Sequence, residues 1–203
     1  PVRPDRPSTV RKRVLMKKTL LLPIAASLLL SGCATIIDAS REDAIPADRG
    51  NRTIGAFIDD EVIENKALVN ISKGPLDVKN AHISVTSFNG TVLLTGQVPH
   101  QQAFQDAEQI AASIPSVKRV HNELTVSGNS ATLSRTNDTW VTTKVKTLLL
   151  ANEKINGGRI KVVTETGVVY LMGLVTPEEA DVAVDIVRSI NGVQKIIKIF
   201  EYI

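Results

Sequence analysis

The sequence predicts an α+β protein built from two tandem copies of one small module. Each copy runs helix, strand, strand, helix, strand, with a three-stranded mixed sheet covered by helices. Three observations carry that prediction: an internal repeat, period-two runs of Val, Ile and Leu, and apolar residues at helical spacing beside them. Residues 83–98 (ISVTSFNGTVLLTGQV) align with 160–175 (IKVVTETGVVYLMGLV), so that Val92, Leu94, Gly96 and Val98 correspond to Val169, Leu171, Gly173 and Val175. After a one-residue gap, Ala107, Ile110, Ser113, Ile114, Val117 and Val120 correspond to Ala183, Ile186, Ser189, Ile190, Val193 and Ile196.

A helix opens each copy, over residues 59–72 and 139–152. At roughly 100° per residue, Val141, Val145, Leu148 and Leu149 gather into one core-facing stripe of the second of these helices. Two strands follow, joined at a tight turn. Asn89-Gly90 is the strongest short hairpin signal in the chain, and Thr166-Gly167 is its weaker counterpart. Next come helices over 101–114 and 177–190, the first with Ala103, Ala107, Ile110 and Ile114 at helical spacing, the second with Pro177 suited to a first turn. Glu178, Glu179 and Asp181 sit where carboxylates complement the positive end of a helix, which argues against a catalytic pair there. A third strand closes each copy, over 118–126 and 194–202. A strand, helix, strand connection sets its two strands parallel, so each sheet is mixed.

Gly96 and Gly173, near the ends of equivalent strands, read as points of close helix approach or a bulge rather than ligand contacts. Gly157-Gly158 lacks the Lys-Ser/Thr of a phosphate loop and reads as a turn. In the second copy Val168, Tyr170, Met172 and Leu174 make the other face of the middle strand apolar too, as in strands buried on both sides. Packing against the first module is the expectation, with a surface for another protein as the alternative. Modules of about 70 residues have small cores and lean on one another.

Ahead of the repeat, Met16-Lys17-Lys18 opens a basic segment, and residues 19–30 form an apolar run too short for the roughly 20 residues that span a bilayer. This is a signal peptide in outline. The Pro- and Arg-rich residues 1–15 are read as an upstream extension and set aside. Leu30-Ser31-Gly32-Cys33 resembles the bacterial lipobox, in which the cysteine is acylated and becomes the first mature residue. Cys33 is the sole cysteine, so it has no intrachain disulfide partner. Ala34 follows it in place of an inner-membrane-retaining Asp, and the resemblance therefore implies the outer membrane. Domain organisation reads as 1–32 signal peptide with extension, 33–51 acylated cysteine and flexible tether, 52–127 first module, 128–136 linker and 137–203 second module.

The formal charge of the whole chain is +3, but seven of its basic residues precede Cys33 with a single acid. From Cys33 onward 17 basic residues face 20 acidic ones, which disfavours a general nucleic-acid binder. His82, His100 and His121 are far apart and show no metal-ligand spacing, so neither metal nor cofactor is expected. Each reads as a surface or strand residue.

One helix carries the candidate site. Away from the stripe of Val141, Val145 and Leu149 fall Trp140, Thr143, Thr147 and Leu150, flanked by Lys144 and Lys146. An exposed indole and Leu beside lysines suit a helix lying at a membrane interface. The alternative is that Trp140 caps the core or fills the seam between modules. The corresponding helix of the first module carries Asp59, Asp60, Glu61 and Glu64 against Lys66, with Val62 at the position of Trp140 and Ser72 at that of Leu150. Charge alone then assigns any contact with an anionic membrane to the second module.

The αββαβ unit with V-x-L-x-G-x-V before its second helix resembles a BON domain. The tandem pair behind a lipobox resembles the dual-BON outer-membrane lipoproteins of the DolP type, from the lipobox to the C-terminus, and residues 137–146 (NDTWVTTKVK) are especially close to that family's second module. The insert at 73–79 (KGPLDVK) departs from the pattern, which puts in doubt any role carried over to the first module. The resemblance implies a periplasm-facing lipoprotein, not an enzyme. It implies binding of anionic phospholipid such as phosphatidylglycerol or cardiolipin, enrichment where the envelope constricts, and support of outer-membrane integrity. The rival expectation is an adaptor for outer-membrane assembly or division proteins, with the lipid serving only as tether.

Overall fold

The computed structural model describes residues 50–74, 81–127 and 132–203. The signal peptide, Cys33, the tether up to residue 49 and most of the 73–79 insert lie outside the described residues. The element order is α1 (Ile54–Ser72), β1 (His82–Phe88), β2 (Thr91–Val98), α2 (Gln101–Ala112) and β3 (Arg119–Val126). It then repeats as α3 (Thr132–Leu150), a single 3-10 turn at Gly157–Arg159, β4 (Ile160–Glu165), β5 (Val168–Val175), α4 (Pro177–Arg188) and β6 (Lys195–Tyr202). The two sheets have the same topology: the middle strand pairs antiparallel with the strand before it and parallel with the strand after α2 or α4.

Strand alternation decides what each sheet face meets. Val92 and Leu94 point into a core with Ile63, Ala67 and Ile71 of α1 and Ala103, Ala107 and Ala111 of α2. The alanines let α2 lie close to the strands. Val169 and Leu171 do the same with Val141, Val145 and Leu149 of α3 and Ala180, Ala183 and Val187 of α4. Each fully buried aliphatic side chain contributes roughly 1.5–3 kcal/mol.

The intervening residues turn the other way, and the two sheets meet there. Leu93 and Phe88 of the first module pack with Tyr170, Met172, Leu174 and Ile199 of the second, so the apolar second face of β5 packs on the first module. Asp48–Ile203 is accordingly one unit. Polar contacts cross the junction as well: Lys161 Nζ to Glu64 Oε1 at 2.7 Å, Gln97 Nε2 to Glu165 Oε1 at 2.9 Å, and Asn89 Nδ2 to Glu201 Oε2 at 2.7 Å. Tyr170, buried and close to Glu123 and Glu165, has its phenol pKa pushed up to about 12.

Both hairpins turn through left-handed backbone, with φ of 52° and 79° at Asn89-Gly90 and 49° and 76° at Thr166-Gly167. A carboxylate from the preceding helix pins each turn. Asp60 Oδ1 accepts from Gly90 N and Ser87 Oγ, and its Oδ2 accepts from Asn89 N and Arg52. Asp138 accepts from Thr166 N and Gly167 N, both at 2.8 Å, which holds a β-branched residue in a conformation it otherwise avoids.

Several expectations are corrected. The opening helices begin earlier than their stripes suggest, at Ile54 and Thr132, so α3 occupies part of the stretch read as linker. Thr53 caps α1 by accepting from Ala56 N. Gly96 and Gly173 lie inside their strands, and the close neighbour is the adjacent strand, not a helix. At Gly96, with φ +121°, a Cβ would run into the His82 carbonyl of β1. His100 is a helix cap whose Nδ1 accepts from Ala103 N. At α4 the expected first-turn carboxylates are present, and Glu179 in addition forms a capping box with Thr176, the two bonding reciprocally.

Candidate functional site

Val141, Val145 and Leu149 commit one side of α3 to the core, and this fixes what the opposite side shows. Trp140 is 53% exposed and Leu150 67%. Thr143 and Thr147 lie between them, and Lys144 and Lys146 flank them; all four are exposed. From residue 140 to 150 the face extends about 15 Å along the helix axis. Trp140 is therefore neither a core cap nor a seam filler.

The two threonines make this face less polar than its composition suggests. Thr143 Oγ1 donates to Thr139 O at 2.9 Å, and Thr147 Oγ1 donates to Thr143 O at 2.8 Å. Hydroxyls already bonded within the helix need no water partner, so drying this surface costs little. Lys144 and Lys146 form no ion pair among the described residues, and both charges remain available.

Helix α1 looks different from the acidic surface expected of it. Asp60 is buried under the hairpin turn, and Glu64 accepts from Ser87 N and Lys161. Only Asp59 and Glu61 of the four acids are exposed. Ile54, Phe57, Ile58, Val62, Leu68 and Val69 are exposed with them. This apolar ridge went unread because a helix apolar on both sides has no amphipathic contrast. Asp60 and Asp138 were missed as well. Their one sequence signal is that an acid occupies the same position of both repeats, two residues before Val62 and Trp140.

A model of the BON domain matches residues 59–128 and again residues 137–202. The chain belongs to the BON-domain family. Helix α3 is thus the first helix of the second BON domain. The chain is 34% identical over 186 residues to the outer membrane lipoprotein DolP of Haemophilus influenzae, covering 92% of this chain and 96% of that one. It is 37% identical over 152 residues to the 21 kDa hemolysin of Actinobacillus pleuropneumoniae (75% and 78%), and 28% identical over 194 residues to the osmotically-inducible protein Y of Escherichia coli (91% and 94%). Both BON domains and their order agree with the dual-BON reading of the sequence. Cys33, the lipidation candidate, lies outside the described residues.

Proposed function

We propose that this chain is an outer-membrane lipoprotein, anchored through acylated Cys33 and facing the periplasm. Its second BON domain binds anionic phospholipid, phosphatidylglycerol or cardiolipin, through Trp140, Thr143, Lys144, Lys146, Thr147 and Leu150. It is a binding protein rather than an enzyme, and it supports the integrity of that membrane at division sites. The lipobox and the likeness to a relative named as an outer membrane lipoprotein support the location. The exposed indole beside Lys144 and Lys146, which form no ion pair among the described residues, carries the lipid reading.

Among the described residues no helix is long and apolar enough to cross a membrane, so contact at this face is interfacial. A lysine near an anionic surface contributes about 1 kcal/mol, and an inserted large side chain about 1.5–3 kcal/mol. The sum is weak binding. An acyl anchor makes it sufficient, because the headgroup contact then occurs at high effective concentration.

Trp140 is the only tryptophan, so its fluorescence reports this face directly. With the Cys33→Ser chain, which cannot be acylated, phosphatidylglycerol vesicles should co-sediment the protein and shift the emission to the blue, while phosphatidylcholine vesicles should do neither. Trp140→Glu should weaken co-sedimentation about tenfold or more, since it exchanges an inserting ring for a repelled charge. Equal binding to both vesicle types, or undiminished binding by the variant, would overturn the lipid assignment.

A second reading, a protein-interaction adaptor for outer-membrane assembly or division proteins, is favoured by the apolar ridge of α1. On that reading Ile58→Ser and Val62→Ser abolish partner capture and leave vesicle binding unchanged.

A further inference from the structure

At the junction of the two BON domains, the start of β3 and the end of β6 enclose a cleft of about 240 Å³. Lys118, Arg119, His121 and Lys198 line it, with the Phe88 ring and Glu201. Arg119 and His121 lie across from Thr91 and Leu93 in the parallel register, on the face of the first sheet that meets the second. Helix α3 covers the opposite face of the second sheet, so the cleft and the Trp140 surface are separate.

The charge here is unbalanced. Elsewhere Arg52 is paired with Asp60, Lys161 with Glu64 and Arg159 with Glu179. Lys118, Arg119 and Lys198 have no ion pair among the described residues, and Glu201, the one carboxylate lining the cleft, accepts from Asn89. His121 Nε2 is buried without a hydrogen-bond partner, a state that buried polar atoms rarely keep. A concave site with cations at its rim and an apolar wall focuses positive potential.

We infer that this cleft binds a phosphate group carried on a small organic body, such as a glycerophosphate, between Arg119, Lys118 and Lys198. An arginine fork with two ammonium groups suits the several oxygens of a phosphate group, monoester or diester, better than a lone carboxylate. Phe88 offers an apolar wall to the carbon skeleton. The volume falls below the roughly 300–1,000 Å³ of sites for drug-sized ligands, which restricts the occupant to a small group.

His121 then acts as a reporter. Burial first and the charge of Arg119 second hold its pKa below the usual imidazole value, while Glu123 pulls weakly the other way. Lys118 and Lys198, the latter from the edge strand β6, line the same cleft with the sign of Arg119, and Glu201 lines it with the opposite sign. An anion on Arg119 offsets that repulsion and lets the imidazole take up a proton more readily. By linkage, anion binding and protonation of His121 favour each other.

The test is an NMR titration of the isotope-labelled Cys33→Ser chain with glycerol phosphate and, separately, with short-chain phosphatidylglycerol below its micelle concentration. Saturable shifts centred on His121 are expected, with an upward move of the His121 titration midpoint. Arg119→Ser with Lys198→Ser, both exposed positions, should weaken the saturation about tenfold or more. Trp140→Glu should leave the His121-centred shifts unchanged with either probe, which separates this site from the vesicle-binding face. Tighter binding of the lipid assigns the site to a headgroup, and tighter binding of glycerol phosphate to a soluble phosphate ester; both support the inference. Absence of saturation by either probe at millimolar concentration, or saturation indifferent to the double substitution, would overturn it.

Discussion

Asp60→Ala is expected to destabilise the protein by about 3–5 kcal/mol, lowering its Tm by roughly 10 °C. The carboxylate is 2% exposed and accepts from Gly90 N, Asn89 N, Ser87 Oγ and Arg52. Its removal strands three donors at a turn whose two residues already hold left-handed backbone, and leaves a partly buried guanidinium without its partner. Burial alone would raise the pKa of this group; the bonds from Gly90, Ser87, Asn89 and Arg52 outweigh it, and the net value is lowered. The sign follows. A carboxylate with a depressed folded pKa contributes its stability above the unfolded value of 3.8 and loses it as pH falls through the folded value. Thermal melts across that range should therefore show a steeper acid loss in the wild type than in Asp60→Ala. Parallel melting curves would show that the turn does not depend on the charge.

Met172→Asn is expected to part the two sheets while leaving each BON domain folded. Met172 is 0% exposed and belongs to the cluster between the sheets, not to the core beneath α3 and α4. An amide there loses the transfer energy of the thioether and buries unpaired polar atoms, together about 4 kcal/mol. The helix-facing residues Val169 and Leu171 are untouched. Two measurements check the outcome. Limited proteolysis should release two stable fragments, one for each BON domain. The Tyr170 phenol should titrate below its value of about 12, because separation rehydrates it and removes Glu123 from its neighbourhood. A tyrosine titration unchanged from the wild type would mean that the sheets remain in contact.

The junction explains why sequence reasoning reached one side of it and not the other. On β5, Tyr170, Met172 and Leu174 alternate with Val169 and Leu171, so both faces are apolar and burial on both sides follows directly. On the first module the matching face shows Thr86, Thr95 and Gln97, a pattern that describes a solvated surface. These residues are buried nonetheless, and Gln97 is bonded to Glu165 across the junction. Polar residues become interior when a partner supplies both cover and hydrogen bonds, and the partner lies some 70 residues away in the chain.

Helix α3 shows the same division. Its core stripe and the position of Trp140 relative to it follow from helical geometry, since burying Val141, Val145 and Leu149 turns Trp140 and Leu150 outward. Helix α1 gave no such lead. Its outer side is as apolar as its inner one, and only the packed structure tells which side Ile63, Ala67 and Ile71 take.

The chain's own pattern settled the duplication, the αββαβ order, the mixed sheets and the family, because strand alternation, helical spacing and hairpin chemistry act between near neighbours. Tertiary structure alone decided that Asp60 and Asp138 fasten the turns, that β1 crowds Gly96, and that Lys118, Arg119, His121 and Lys198 share one cleft. Those arrangements depend on which distant faces meet, and that is a property of packing rather than of local periodicity.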